Sequence, residues 1–120
     1  MKEIKLPHKD PVKFAKYIIS NNGEVAIVRV EFTTLPSLAM IIESAAQSTA
    51  GLGSNGKSQM GYLVSLKNIK LIKELKYLEY DVKIIAEHKL GQLSYFRFEV
   101  YKEDKKEDFL VTGTFIIAIS

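Results

Sequence analysis

Two polar side chains, Glu43 and Gln47, are spaced one helical turn apart in an otherwise apolar stretch. The stretch, LPSLAMIIESAAQSTAGLG over residues 35–53, contains no Lys or Arg, although the chain has 17 basic residues. A carboxyl group held in an apolar site can exchange protons with a substrate near neutral pH. Glu43 is therefore the first candidate for general acid–base chemistry.

Four polar residues of this stretch fall within an arc of about 140° on a helical wheel: Glu43, Gln47, Ser44 and Ser48. One interpretation is the solvated side of an amphipathic helix, which is the commoner arrangement. The other is a buried polar site, which Met40 favours because it lies inside the same arc. Both interpretations stay open at this point.

The rest of the sequence offers few other reactive groups. There is no Cys, and the two His residues, His8 and His88, do not have metal-ligand spacing, so no metal or other cofactor is predicted. His8 could act with Glu43 if the N-terminal turn folds over the site, or could simply cap that turn or face solvent. His88, beside Lys89 at a hairpin tip, is expected to be exposed. Tyr62 is a polar candidate for substrate binding near the end of the helix.

Length and charge limit the classes of function. The 120 residues, 47% hydrophobic and 26% charged, predict one domain over residues 1–120. The net charge is +3 without an Arg-rich cluster, which argues against nucleic acid and allows an acidic partner. The opening MKEIKLPHKD does not resemble a signal peptide, and no apolar run is long enough to span a membrane. We therefore expect a cytoplasmic protein.

The elements that must position Glu43 are a hairpin, a helix and four further strands. The NNG at 21–23 predicts a turn between two strands. We expect Thr33 or Thr34 to cap the helix, with Pro36 in its first turn and its end near Ala50, before the glycines at 51 and 53. Four apolar, partly alternating segments follow: QMGYLVSLKNIKLI, EYDVKIIAEHK, LSYFRFEVYKE and DFLVTGTFIIAIS.

One helix must cover a sheet of six strands. This predicts an α+β protein in which an antiparallel six-stranded sheet wraps around one central helix. Such a sheet keeps exposed edges, and a second copy pairing edge to edge would close one of them, so a homodimer is expected.

Three segments occur in a distinctive order: LPHKDPVKFAKYII near the start, IIESAAQSTAGL in the predicted helix and GYLVSLKNIKLI after it. They resemble, in this order, the Leu-Pro-His-Arg-x-Pro opening, the Glu-Ala-x-Ala-Gln helix and the following strand of the 3-hydroxyacyl-acyl-carrier-protein dehydratases of fatty-acid synthesis, which have the hotdog fold. The spacing before the helix is more similar still to dehydratase-like proteins of aryl-polyene pathways. The resemblance covers nearly the whole chain, and its specificity lies in the order of the motifs.

The resemblance implies an acyl thioester on a phosphopantetheine arm, bound at the interface of a dimer. Glu43 matches the family's catalytic helix carboxylate and Gln47 the Gln that helps to hold the site. His8 matches the His of the opening motif, which is not the family's main catalytic His. That His belongs to a His-Phe-Pro-Gly loop before the helix, and this chain has EFTTLPS there instead.

The expected function is therefore handling of acyl thioesters, dehydratase-like, on 3-hydroxyacyl groups carried by acyl carrier protein or coenzyme A. Glu43 and His8 are the catalytic candidates, and Gln47 and Tyr62 the substrate-binding ones. The expected assembly is a homodimer or a higher homo-oligomer, with no nucleic acid or membrane partner. Two alternatives stay open: a non-catalytic acyl-binding or partner subunit, and a thioesterase of the same fold.

Overall fold

A computed structural model describes residues 2–3, 13–49, 61–103 and 108–119 of the chain. It contains one helix and seven strands in these ranges, all of the strands in one sheet. The elements are β1 (Lys2–Glu3), β2 (Ala15–Asn21), β3 (Val25–Glu31), α1 (Leu38–Ser48), β4 (Gly61–Leu71), β5 (Glu79–Leu90), β6 (Leu93–Tyr101) and β7 (Val111–Ile119).

The sheet has the order β1-β2-β3-β5-β6-β7-β4, and every neighbouring pair is antiparallel. Its six long strands are those that the sequence predicts, and the two-residue β1 adds to the edge beside β2. The predicted turn at 21–23 joins β2 to β3, where Asn22 Oδ1 accepts hydrogen bonds from Glu24 N and Val25 N at 3.0 and 2.8 Å. The α+β architecture with an antiparallel sheet and one central helix is confirmed.

Alternation along the strands places the core on one face of the sheet. In β3 the even-numbered residues Ala26, Val28 and Val30 are buried, while the odd-numbered ones are partly exposed. The register continues this face into β5 and β6, since Val28 pairs with Val82 and Val82 with Val100. Ile41 and Ala45 of α1 belong to the same hydrophobic core. The helix makes its main contacts with β2, β3 and β5.

The helix begins later than the sequence analysis predicts. Ser37 is its N-cap, with Oγ accepting from Met40 N at 3.2 Å, so the prediction of Thr33 or Thr34 as the cap is wrong. Pro36 precedes the cap instead of lying in the first turn. A proline disfavours helical backbone at the residue before it, and a helix capped by Thr33 or Thr34 would require that conformation at Leu35.

The helix also ends slightly earlier than predicted. Its last residue is Ser48, with Thr49 as the C-cap, whereas Ala50 was expected to be near its end. The predicted stop at the glycines of positions 51 and 53 lies outside the described residues. Within the described ranges, no helix has the length and apolar character needed to cross a membrane.

Candidate functional site

The polar arc of α1 is largely buried. Ser44 and Ser48 have no exposed surface and Gln47 is 4% exposed, so a solvated face is excluded for these three residues. The two hydroxyls bond within the helix, Ser44 Oγ to Ile41 O at 2.6 Å and Ser48 Oγ to Ser44 O at 2.7 Å. Glu43 is partly buried in the single chain.

Gln47 joins the helix to the start of the sheet. Its Oε1 accepts hydrogen bonds from Phe14 N at 2.8 Å and Ala15 N at 3.1 Å, where the chain enters β2. Both N–H groups are buried, and a buried N–H group without a hydrogen-bond acceptor destabilises the folded state. Gln47 therefore fixes the position of α1 relative to β2.

The same amide also reaches the carboxylate of Glu43. Gln47 Nε2 donates to Glu43 Oε1 at 3.4 Å, one turn earlier on the helix. With its oxygen held by two backbone N–H groups, the amide can present only its NH₂ group to the carboxylate. The hydrogen bonds thus orient one side of Glu43 and define the geometry of the candidate site.

The structure does not bring the side chain of any other predicted site residue to Glu43 among the described residues. His8 lies outside the described residues, so its position relative to Glu43 stays a prediction. Tyr62 lies on β4, where its backbone pairs with Ala118, and its side chain is not among those described. His88 is exposed, as expected, and its ring stacks on Tyr95 with centroids 4.1 Å apart.

The segment between β3 and α1 contains no second acid–base group of the expected kind. Residues 32–37 connect the two elements directly, with Phe32 buried and its N–H donating to Leu78 O at 2.8 Å. His is absent from these positions in the sequence. Among the described residues there is also no cluster of three or more His, Cys, Asp or Glu that could hold a metal ion.

Two polar features were not anticipated from the sequence. On the face of the sheet away from the core, Arg29 Nε contacts Asp81 Oδ1 at 2.5 Å, and the other end of the guanidinium contacts Glu103 Oε2 at 3.3 Å. The second is a cavity whose lining includes Lys73 and Lys76 from the segment after β4 and Lys102 directly after β6. In the sequence, Lys occurs at every third position from 67 to 76, and this spacing could have indicated a basic surface around the cavity.

The architecture is similar to that of solved hotdog proteins. The dehydratase heterocomplex ApeI:P from Xenorhabdus doucetiae has a TM-score of 0.75 at 16% identity, covering 96% of this chain and 88% of that chain. A Streptococcus mutans protein bound to acetyl-CoA has a TM-score of 0.68 at 14% identity, covering 100% and 95%. A hypothetical thioesterase with coenzyme A from Streptococcus pneumoniae has a TM-score of 0.66 at 11% identity, covering 87% and 84%.

No protein-family model and no curated protein matches the sequence. The structural similarity, at low identity, establishes the fold: the chain is a hotdog-fold protein.

Proposed function

We propose that the chain handles acyl thioesters and that its reaction is the dehydration of a 3-hydroxyacyl group carried by acyl carrier protein or coenzyme A. The observation that carries this proposal is the arrangement on α1, where buried Gln47 is held by two backbone N–H groups and directs its amide to Glu43. Proteins of the same fold described as a dehydratase or as binding coenzyme A support the choice of substrate class.

Dehydration needs two proton transfers. A base takes the proton from C2, the C3–O bond breaks, and an acid protonates the departing hydroxyl, leaving a C2=C3 double bond and water. Glu43 can perform one of these transfers. His8 is proposed for the other, because residues 32–37 offer no His and His88 is exposed on the β5–β6 hairpin.

The proposed assembly is a homodimer formed through β4. This strand pairs with β7 on one side and with no other strand among the described residues. Its side chains include exposed apolar ones, with Val64 56%, Leu66 42% and Leu63 40% accessible. An open edge with exposed apolar residues is a template for another strand, and a second copy of β4 provides one.

One experiment tests the proposed reaction against its alternatives. The protein is incubated with 3-hydroxyacyl and saturated acyl thioesters while enoyl absorbance and free thiol are followed together. Dehydration produces the enoyl signal from the 3-hydroxyacyl thioester without thiol release. Thiol release from both substrates would instead assign a thioesterase and overturn the proposal.

A non-catalytic acyl-binding or partner subunit is the second candidate. The observation that favours it is the direct connection of β3 to α1 without a His in residues 32–37. This candidate predicts neither enoyl nor thiol signal, together with measurable binding of an acyl thioester or of acyl carrier protein.

A further inference from the structure

A cavity of about 350 Å³ lies away from α1, lined on one side by residues of the segment that follows β4 and on the other by Lys102, Asp108 and Leu110. Its volume is in the range of pockets that hold small ligands. Backbone hydrogen bonds fix its walls, since Ile72 N and Lys73 N both donate to Leu110 O, at 2.8 and 3.2 Å. Leu110 N in turn donates to Val100 O at 2.8 Å, which ties the cavity to the central sheet.

Three lysines line the cavity, and they differ in whether a carboxylate lies beside the ammonium group. Lys73 forms an ion pair with Asp108, and Lys76 Nζ is 3.8 Å from a carboxylate oxygen of Glu74. Lys102 forms no ion pair with any carboxylate in the part of the chain that the structure describes. Its ammonium lies 4.9 Å from the centroid of the Tyr77 ring and 3.4 Å from Glu79 O.

This arrangement suits an anion with more than one charge. Asp108 and Glu74 already place a carboxylate beside Lys73 and Lys76, so a ligand carboxylate, with the same single charge, would gain little from these two lysines. A phosphate group carries a charge between about −1.5 and −2 near neutral pH and has three strong acceptor oxygens. It can therefore contact Lys102 and attract Lys73 or Lys76 at the same time.

We propose that this cavity is a phosphate-binding site, and that the phosphate is one on the pantetheine-linked carrier of the acyl thioester. The identity of the carrier rests on the proposed function, whereas the phosphate chemistry rests on the cavity alone. Coenzyme A carries a phosphate monoester of this charge, whereas the phosphopantetheine arm of a carrier protein is joined through a phosphodiester with a single negative charge, so coenzyme A is the carrier that fits the cavity. Lys102 is the main contact, and Asp108 competes with the ligand for Lys73.

The test is a calorimetric titration of the full-length protein with coenzyme A, with pantetheine and with inorganic pyrophosphate. Three variants are compared with the parent: Lys102→Gln, Asp108→Asn and Lys83→Gln. Lys83 is the matched control, because it lies on β5 outside the cavity and its Nζ is 4.0 Å from Glu99 Oε1.

The two cavity variants have opposite expected effects. Lys102→Gln weakens coenzyme A binding about three- to fivefold, and Asp108→Asn strengthens it by a similar factor because Lys73 loses its competing carboxylate. Lys83→Gln leaves the affinity unchanged. The proposed site would be rejected if Lys102→Gln and Lys83→Gln changed the affinity for coenzyme A equally. It would also be rejected if Asp108→Asn lowered that affinity.

The remaining comparisons separate the phosphate site from the proposed function. If the protein bound pyrophosphate through Lys102 but did not bind coenzyme A, the cavity would be a phosphate site. Its natural phosphate would then not come from the carrier of the acyl thioester. An N-acetylcysteamine thioester has no phosphate, so its turnover should be equal in Lys102→Gln and parent. The site would be rejected, and the proposed function would stand, if two results were obtained together. These are turnover of the N-acetylcysteamine thioester and an affinity for coenzyme A that Lys102→Gln does not change.

Discussion

Gln47 Oε1 lies 2.8 Å from Phe14 N, so a side chain of the central helix completes the hydrogen bonding of the chain entering β2. The same amide contacts Glu43, which couples the stability of the fold to the geometry of the candidate site. A residue that the family resemblance associates with substrate binding thus also has a structural function in this chain.

Replacing Gln47 by Met tests this structural function. Met has a similar length but no comparable acceptor, so the N–H groups of Phe14 and Ala15 would remain buried without their partner. We expect the free energy of unfolding to fall by about 2–4 kcal/mol, measured by urea denaturation. The control is Gln92→Met in the exposed β5–β6 turn, with an effect within about 0.5 kcal/mol. Equal stability of the two variants would contradict the structural function.

The ion pair between Arg29 and Asp81 should contribute measurably to stability. The two residues face each other across β3 and β5, and their side chains are 13% and 7% exposed. The nearby carboxylates raise the pKa of Arg29, with the hydrogen bond to Asp81 as the largest cause. Asp81→Asn should lower the free energy of unfolding by about 2 kcal/mol, because the more exposed Glu103 is then the remaining anionic partner of Arg29 among the described residues.

A matched pair on the same face provides the control. Lys83 and Glu99 are 4.0 Å apart and more exposed, so Lys83→Gln should change stability by less than about 0.5 kcal/mol. If Asp81→Asn cost no more than Lys83→Gln, the Arg29–Asp81 pair would not be a stabilising element.

Tyr101 should make the protein sensitive to alkaline pH. It is 2% exposed, and burial raises its pKa to about 12, with further contributions from the charges of Asp81 and Glu99. In the unfolded chain a tyrosine titrates near 10. The stabilisation from keeping Tyr101 neutral is fully present below about pH 10 and is lost as the pH rises through about 12, because the unfolded state releases its proton first.

Tyr101→Phe removes the ionisable hydroxyl, so its stability should decline less between about pH 10 and 12 than that of the parent. The difference is at most about 1.4 kcal/mol per pH unit, measured by denaturation at several pH values. Tyr95→Phe, on the same face of β6 with a more exposed ring, is the control. Parallel pH curves for Tyr101→Phe and parent would show that Tyr101 is not responsible.

The β4 edge should determine the oligomeric state. Placing charges on the exposed apolar positions Val64 and Leu66 as the double variant Val64→Lys/Leu66→Lys should convert a dimer to a monomer, because like charges would meet across the new strand pair. Sedimentation velocity measures the change. Leu90→Lys, at an apolar residue of the β5–β6 hairpin that is at least as exposed as either β4 position, should stay dimeric. A dimer that survives the double β4 substitution would place the interface elsewhere.

Several of these features could be predicted from sequence, and others depend on contacts distant in the chain. The strands after the helix could be predicted, because partial alternation of apolar residues along a strand is a local signal. The helix start was missed because Thr33, Thr34 and Ser37 can all cap a helix, and the backbone restriction imposed by Pro36 selects the last.

The contacts between strands had no comparable local signal. Arg29 and Asp81 are 52 positions apart and meet only because of the register between β3 and β5. Tyr101 lies on the same face of β6 as Arg97 and Glu99, yet it is buried, and the centroid of its ring lies 6.4 Å from that of Phe109. The proximity of Glu43 and Gln47 does follow from local spacing, because both residues lie on one helix, one turn apart.

The most direct test of the proposed function is turnover of a 3-hydroxyacyl thioester by Glu43→Gln, compared with the parent and with Glu87→Gln. Glu87 is exposed on β5, so this control makes the same chemical change outside the candidate site. We expect Glu43→Gln to reduce the rate of enoyl formation at least about 100-fold, as for loss of a general acid or base, with the parent's oligomeric state retained. Glu87→Gln should keep the parent's rate. Enoyl formation by Glu43→Gln at that rate would contradict the assignment of Glu43 as the catalytic group.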